Sequence, residues 1–278
     1  MTPAARLAAV IEIIDEMEET HLAGYGLRKG LQRRRYAGSG DRQAISAMFW
    51  QVHRAWARLF WHLQQCGCEV TARSITIAAQ MLVDRQLPAE ITALFGGEDK
   101  HNAAALSADE LELVAQLAER HLDHPAMPRD VALEWPDFLL ADAVAALGEA
   151  TEAELLALRG EAATDVRINP VRLGDRRVLR EKFAGRGLKC HLNTLSPIGI
   201  RLEKRTRTAD LPEWKKGLFE YQDEGSQIAA LLCDARPGMQ VVDMCAGAGG
   251  KALVMAAQMQ NRGRVLALDT DAERLERG

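Results

Sequence analysis

The stretch from Val241 to Asp269 constrains the fold of this chain more than any other, because it has the order strand, glycine-rich turn, helix, turn and second strand. The two apolar runs, 241–242 and 265–268, lack the alternation of a half-exposed strand and therefore suit parallel strands that are covered on both faces. The second run ends in an acid, Asp269, and nine residues follow it. This order predicts the first half of a nucleotide-binding α/β sheet.

Three glycines, Gly247, Gly249 and Gly250, lie between the first strand and the helix. Glycine lets the backbone approach a ligand closely, and a ligand there would face the positive end of the helix. Asp269, at the tip of the second strand, is placed to accept hydrogen bonds from ribose hydroxyls. The spacing is not G-x-G-x-x-G, and the G-K-[ST] sequence of a phosphate-binding loop is absent. An ordinary strand-turn-helix inside an α/β enzyme therefore stays open as the alternative.

Two segments carry a family resemblance. The segment DMCAGAGGKA, at 243–252, resembles the cofactor loop of the Sun/Fmu-type RNA (5-methylcytosine) methyltransferases, which use S-adenosylmethionine and usually read D-x-C-A-A-P-G-G-K-T here. The segment YQDEGSQ, at 221–227, is similar to the V-Q-D-E-A-S-Q that precedes that loop in the family. The resemblance implies that Asp269 holds the ribose of S-adenosylmethionine. It also implies that the methionine end of the cofactor is surrounded by Cys245, Ala246, Gly247, Ala248, Gly249, Gly250 and Lys251.

The resemblance also implies a reaction. Enzymes of this family add a cysteine thiolate to carbon 6 of cytosine, which activates carbon 5 toward the sulfonium methyl, and a base then removes the carbon 5 proton. The family carries its two functional cysteines in T-C-S-type and D-x-P-C loops, which lie further along than this chain extends. We assign no catalytic residue, because none of the five cysteines has such a context: Cys66, Cys68, Cys190, Cys233 and Cys245. The sequence thus predicts the amino-terminal part of a methyltransferase, an incomplete chain that is inactive by itself.

The first 128 residues show apolar residues at helical spacing. The strongest stripe, from Ile45 to Leu63, predicts one long aromatic helix, and Ser107 to Glu110 predict a capping box ahead of a further helix. Ahead of it lies a basic run, read here as a loop between the first two helices. This arrangement resembles the helical NusB-like extension of the bacterial ribosomal members of the family. It implies phosphate contacts for Arg33, Arg34 and Arg35, and a merely solubilising loop is the alternative.

Residues 129–220 predict a small α/β subdomain. A helix opens at Trp135-Pro136, Thr151 begins a capping box, and two strands at 164–169 and 198–202 flank a short basic helix capped by Asp175. The order resembles the small RNA-recognition-like subdomain of the same family. The predicted fold class is therefore α+β multidomain: a helical NusB-like amino-terminal domain (1–128), a small basic RNA-recognition-like α/β subdomain (129–220) and the start of a Rossmann-like methyltransferase sheet, its first βαβ unit (221–278).

Charge is distributed unevenly. From Glu161 to Lys216 there are fourteen Lys or Arg against seven Asp or Glu, while the net charge of the whole chain is -4. A basic segment in an acidic protein indicates an anionic partner at one place, and a solvated face is the alternative. With the family resemblance, the expected partner is RNA, in particular rRNA.

Composition limits the remaining classes of function. Acids interrupt the amino terminus where a signal peptide would be apolar, so we expect a cytoplasmic protein that is not bound to a membrane. The cysteines are odd in number and lack a C-x-x-C pair, so we expect neither disulfides nor a metal, and we expect a monomer. Two other functions stay open: a non-catalytic RNA-binding protein with a vestigial cofactor loop, and a different S-adenosylmethionine enzyme, against which the basic segment argues.

Overall fold

The computed structural model describes residues 1–17, 22–97, 101–204, 206, 208 and 210–276. The chain divides into two compact units, a helical unit (residues 1–161) and an α/β unit (residues 162–278). Residues beyond 128 bond to the helical region before them, since Glu134 accepts from Arg58 and Arg159 pairs with Asp123. The three domain ranges given above stay predictions.

Helices make up the regular structure of the helical unit. Within its described residues they are α1 (Pro3–Met17), α2 (Ala23–Arg33), α3 (Ser39–Arg54), α4 (Trp56–Gln65), α5 (Ala72–Leu82), α6 (Pro88–Leu94), α7 (Ala108–Leu117), α8 (Arg129–Leu133), α9 (Asp137–Leu147) and α10 (Thr151–Leu158). Helix α1 packs against α2, α3 and α5, and the core side chains Val10, Ile13, Ile45 and Ile75 are fully buried there. In the part of the chain that the structure describes, no helix has the length and apolarity needed to cross a lipid bilayer.

Helix α2 occupies the first part of the region that the sequence predicts as a basic loop, and the prediction is wrong there, whereas Arg34, Arg35 and Tyr36 do lie in the connection between α2 and α3. Leu27 and Gly30 are buried on α2 against α1. The approach is close, because a Cβ at Gly30 would lie 2.6 Å from Cγ1 of Ile13. Packing on α1 therefore offsets the low helix propensity of the glycines, which the sequence pattern alone does not reveal.

The predicted long aromatic helix is two helices, because the chain breaks at Ala55 between α3 and α4. The backbone N–H groups of Ala57 and Arg58, in the first turn of α4, donate to the carboxylate of Glu134 at 2.9 and 3.1 Å. Helix α4 thus begins at a site capped by an acid from far along the chain.

The two predicted capping boxes have different outcomes. Ser107 caps α7 and Glu110 bonds back to its backbone N–H at 2.8 Å, as predicted. Thr151 is instead the first residue of α10, and its hydroxyl donates to the carbonyl of Gly148 at 2.6 Å. A 3-10 turn leads directly into α10, so Thr151 is already helical and the capping-box prediction is wrong there.

A four-stranded antiparallel sheet, in the order β2-β3-β1-β4, begins the α/β unit. The elements of the described unit are β1 (Thr164–Ile168), α11 (Arg176–Gly185), β2 (Cys190–Leu192), β3 (Gly199–Leu202), α12 (Pro212–Lys215), β4 (Phe219–Tyr221), α13 (Glu224–Leu232), β5 (Gln240–Asp243), α14 (Gly250–Gln258), β6 (Arg264–Ala267) and α15 (Ala272–Leu275). Helix α11, capped by Asp175 as predicted, packs Leu179 and Phe183 on this sheet. The three-residue strands β2 and β4 were not predicted.

Strands β5 and β6 pair in parallel around α14, as the sequence predicts. Met255 of α14 and Met259, which follows that helix, pack on one face of the pair, against Val241 and Val265. The other face is open among the described residues, since Val242 is 53% and Leu266 41% exposed. Among the described residues the two apolar strands are therefore covered on one face only.

We expect Glu134→Gln to lower the free energy of unfolding of the helical unit by about 2 kcal/mol, because it removes charge-assisted bonds to the buried Arg58 guanidinium and to two helix N–H groups. Urea unfolding followed by tryptophan fluorescence measures this, because four of the five tryptophans lie in this unit. Glu152→Gln is the control, since it breaks only the exposed pair with Arg129. Equal effects of the two changes would contradict the assignment.

Candidate functional site

The glycine turn (residues 244–249) connects β5 to α14. Gly247 and Gly249 have φ values of +54° and +79°, a backbone region that favours glycine. Gly250 and Lys251 are the first two residues of α14, so the amide groups of its first turn face the glycine turn. The predicted order of strand, turn and helix is thus present at this position.

Asp269 binds the glycine turn directly. Its Oδ2 accepts the backbone N–H of Gly247 at 2.7 Å, and its Oδ1 accepts that of Asp271 at 2.9 Å. The hydrogen bond from Asp271 and the one from Gly247 hold the pKa of this carboxyl below its usual value. Each carboxylate oxygen has a second lone pair, so the group can still accept a hydrogen bond from a ligand hydroxyl.

Asp243 lies at the carboxyl end of β5 and is 9% exposed. Its Oδ1 accepts the N–H of Cys245 at 3.3 Å, and its carbonyl accepts that of Leu268 at 2.8 Å. Its Oδ2 is buried and has no hydrogen-bond partner among the described residues. A buried carboxylate oxygen without a partner is costly, and a ligand with a hydrogen-bond donor would satisfy it.

Arg274, on α15, is a residue of this site that the sequence analysis missed. A Cβ at Gly247 would lie 2.7 Å from its Nη2, so the guanidinium covers the glycine turn. Its charge also contributes to the lowered pKa of Asp269. The sequence does contain a signal for it: Arg274 follows the strand-tip acid Asp269 by five residues, in a short helix that Asp271 caps.

The segment 221–227, the second of the two family-like motifs, connects β4 to α13 and is not part of the glycine turn. Glu224 accepts the N–H groups of Leu195 and Ser196 at 2.7 and 2.9 Å. Gln227 is fully buried, accepts the hydroxyl of Ser196 at 2.6 Å and donates to the carbonyl of Gln222 at 2.7 Å. Because α13 packs on α14, the segment fixes the helix that follows the glycine turn.

The basic segment is only partly available to a partner. Arg167 is buried beside Glu220, and Arg201 pairs with Asp165 at 2.8 Å. Arg176 donates to the carbonyls of Asn193 and Gly199 at 3.0 and 3.1 Å. Several other basic residues are exposed: Arg172, Arg177, Lys182, Arg186, Lys189, Lys204, Lys215 and Lys216. Arg205 and Arg207 lie outside the described residues.

The three arginines predicted to contact phosphate differ in exposure. Arg34 is 5% exposed, pairs with Glu12 and donates to the carbonyl of Gly30 at 3.0 Å, so it is not available and the prediction is wrong for it. Arg33 pairs with Glu16 at 2.9 Å but is half-exposed. Arg35 is exposed.

Three of the five cysteines offer little thiolate. Burial raises the pKa of the Cys66, Cys68 and Cys190 thiols, which favours the protonated form. Cys233 and Cys245 are exposed. Within the described residues, no group of three His, Cys, Asp or Glu side chains is arranged to hold a metal ion.

No protein-family model matches the chain. Ribosomal RNA small subunit methyltransferase B of Xylella fastidiosa is 33% identical over 156 residues, which are 55% of this chain and 35% of that protein. The 28S rRNA (cytosine-C(5))-methyltransferase of Mus musculus is 33% identical over 97 residues, which are 35% of this chain and 21% of that protein. The chain thus spans about a third or less of the length of these curated relatives.

A solved structure supports the fold. The crystal structure of PH0851 matches all of this chain and 66% of that chain, with a TM-score of 0.67 and 17% identity. It shows that the chain shares this mixed α/β fold. The resemblance drawn from the two sequence motifs is confirmed by the curated relatives.

We expect Asp269→Asn to remove a pH-dependent part of the stability of the α/β unit. The folded-state pKa of Asp269 is lowered, so the carboxylate stabilises the turn above its unfolded pKa of about 3.9 and this contribution is lost as pH falls through the folded-state pKa. Melting temperatures of wild type and variant should therefore differ at neutral pH and converge in acid.

Asp234→Asn is the control, because Asp234 is an exposed acid paired only with the exposed Arg236. A difference between wild type and Asp269→Asn that stays constant with pH would contradict the role given to the Asp269 carboxylate.

Proposed function

Given this resemblance to the Sun/Fmu-type RNA (5-methylcytosine) methyltransferases, we propose that the chain carries the S-adenosylmethionine half-site and part of the RNA-binding surface of an rRNA (cytosine-5) methyltransferase. One observation carries the proposal. Asp269, just after β6, holds the glycine turn by its bond to Gly247, and Asp243, at the end of β5, has a buried Oδ2 without a hydrogen-bond partner among the described residues. Strand-tip acids around a glycine turn suit a nucleoside ligand.

The residues of the turn fit that cofactor. Asp269 has lone pairs left for ribose hydroxyls, and Oδ2 of Asp243 needs a hydrogen-bond donor. Gly247 and Gly249 keep the backbone accessible, and the N–H groups at Gly250 and Lys251 offer a positive helix end to the carboxylate of the methionine part. The remaining residues of the proposed site are Cys245, Ala246 and Ala248. When bound, S-adenosylmethionine supplies an electrophilic methyl group on its sulfonium.

A second function, RNA binding without methyl transfer, is favoured by the cysteines of this chain. The three partly buried thiols have raised pKa values, which disfavours the thiolate, and the other two cysteines are exposed. We assign no catalytic residue. Transfer of a labelled methyl group from the cofactor to rRNA distinguishes the two functions, because the second gives none. In either case we propose a cytoplasmic, monomeric protein.

We expect Gly247→Ala to weaken binding of S-adenosylhomocysteine at least about tenfold, since the left-handed backbone disfavours a Cβ and the Cβ would displace the Arg274 guanidinium from the turn. The measurement is the rise in melting temperature with ligand concentration, which reports binding to the folded state. Gly238→Ala is the matched control, because Gly238 also has a positive φ of +91° but no atom within 4 Å of the added Cβ.

The control separates backbone strain from loss of the site. If the two variants are destabilised alike and bind the ligand alike, the glycine turn is not the cofactor site. If wild type shows no shift, the chain does not bind the cofactor by itself.

We expect Arg177→Gln/Lys182→Gln to weaken RNA binding by a similar factor for different RNA sequences, because exposed cations on α11 contact phosphates rather than bases. The slope of log affinity against log salt should fall by about 1.4, or about 0.7 for each lost contact with single-stranded RNA. Fluorescence anisotropy with rRNA fragments at several salt concentrations measures both.

Arg129→Gln/Arg236→Gln is the control for loss of two charges, because these exposed arginines pair with Glu152 and Asp234 on the surface. An equal loss of affinity in both double variants would mean that only net charge matters and that α11 is not the contact surface.

A further inference from the structure

Gly250, the first residue of α14, meets two buried polar side chains from the four-stranded sheet and its exit. Arg167, on β1, is 2% exposed, and its Nη2 lies 3.5 Å from the carbonyl oxygen of Gly250. Gln222, just after β4, is 9% exposed, and a Cβ added to Gly250 would lie 3.6 Å from its Nε2. Arg167 thus contacts the first turn of α14 directly, and the side-chain amide of Gln222, which also donates to the hydroxyl of Ser226 at 3.5 Å, lies beside the same residue.

The burial of Arg167 calls for an explanation. Its main partner is Glu220, the residue opposite it across β1 and β4, whose side chain is 37% exposed. The Nε of Arg167 has no partner among the described residues, and burial lowers the pKa of the guanidinium. A well-packed apolar side chain at this strand position would avoid the desolvation of a charge. The contact with Gly250 is the feature that an apolar residue would not supply.

Gln222 is held in place from both sides. Its N–H donates to the carbonyl of Asp165 at 3.1 Å, and its own carbonyl accepts from Gln227 at 2.7 Å. The side-chain Oε1 is buried without a partner among the described residues. A fixed backbone and a buried amide hold this side chain beside the first turn of α14.

We propose that Arg167 and Gln222 are positioning residues that hold the first turn of α14, and through it the glycine turn, in the geometry that accepts the cofactor. Gly249 caps α14, so a shift of Gly250 moves the backbone that Asp269 binds at Gly247. The link to cofactor binding rests on the proposed function, whereas the positioning of the turn does not. The two side chains thus connect the four-stranded sheet to the glycine turn.

Hydrogen exchange tests the positioning without any ligand. In Arg167→Met, the amide hydrogens of residues 245–254 should exchange about tenfold faster, the effect of losing roughly one charge-assisted hydrogen bond. Arg167→Lys, which keeps the charge, should restore part of the protection. Amides of β3 should be unchanged. Gln222→Met should act on the same amides, and the double variant should show less than the product of the single effects.

Arg172→Met is the matched control, because Arg172 is an exposed arginine of the same subdomain that donates to the carbonyl of Lys216 at 3.0 Å. Unchanged exchange at 245–254, or faster exchange throughout the α/β unit, would overturn the inference. If Arg167→Met does not fold, Gln222→Met and Arg167→Lys decide it by the same readout.

Cofactor binding is measured separately. Where wild type binds S-adenosylhomocysteine, the affinity should fall in Arg167→Met and stay constant in Arg172→Met, and an equal affinity in all three would overturn the link. Where wild type shows no binding, the proposed function fails for this chain while the exchange data still decide the positioning.

Discussion

One carboxylate connects the two parallel strands of the α/β unit to the turn between them. Asp269, at the tip of β6, accepts the N–H of Gly247, and the carbonyl of Asp243, at the tip of β5, accepts the N–H of Leu268. Both bonds lie at the carboxyl ends of the neighbouring parallel strands β5 and β6, the edge of the sheet at which α/β proteins bind their ligands. The bond from Gly247 to Asp269 thus holds the glycine turn at the ends of the two strands, where the cofactor site is proposed.

The basic residues of the segment from Glu161 to Lys216 have two different roles, which a net charge does not distinguish. Some arginines of the basic segment hold the subdomain together, as Arg201 does with Asp165 and Arg176 with two backbone carbonyls. Others, on the outer side of α11, are exposed. A count of fourteen basic residues therefore overstates the positive surface that an RNA would meet. Phosphate affinity depends on the exposed group, and fold stability on the buried one.

The parts of the structure that follow local rules were predictable from the sequence. The apolar runs and the strand-tip acid predict the parallel pair, and Ser107 and Asp175 mark helix starts by their own side chains. The errors arise where distant packing decides. Gly30 permits the close contact that makes α2 a helix, and Glu134 starts α4 from 77 residues away. Strands β2 and β4 are too short to show a pattern.

The contact between Glu134 and α4 has a consequence for biosynthesis. The first-turn amides of α4 stay open to water until the segment around residue 134 has left the ribosome, because their acceptor is 76 and 77 residues further along. Contacts of such long sequence separation form slowly. During translation the nascent amino-terminal helices therefore pass through a stage in which the guanidinium of Arg58 has yet to meet either of its acids, Asp123 and Glu134.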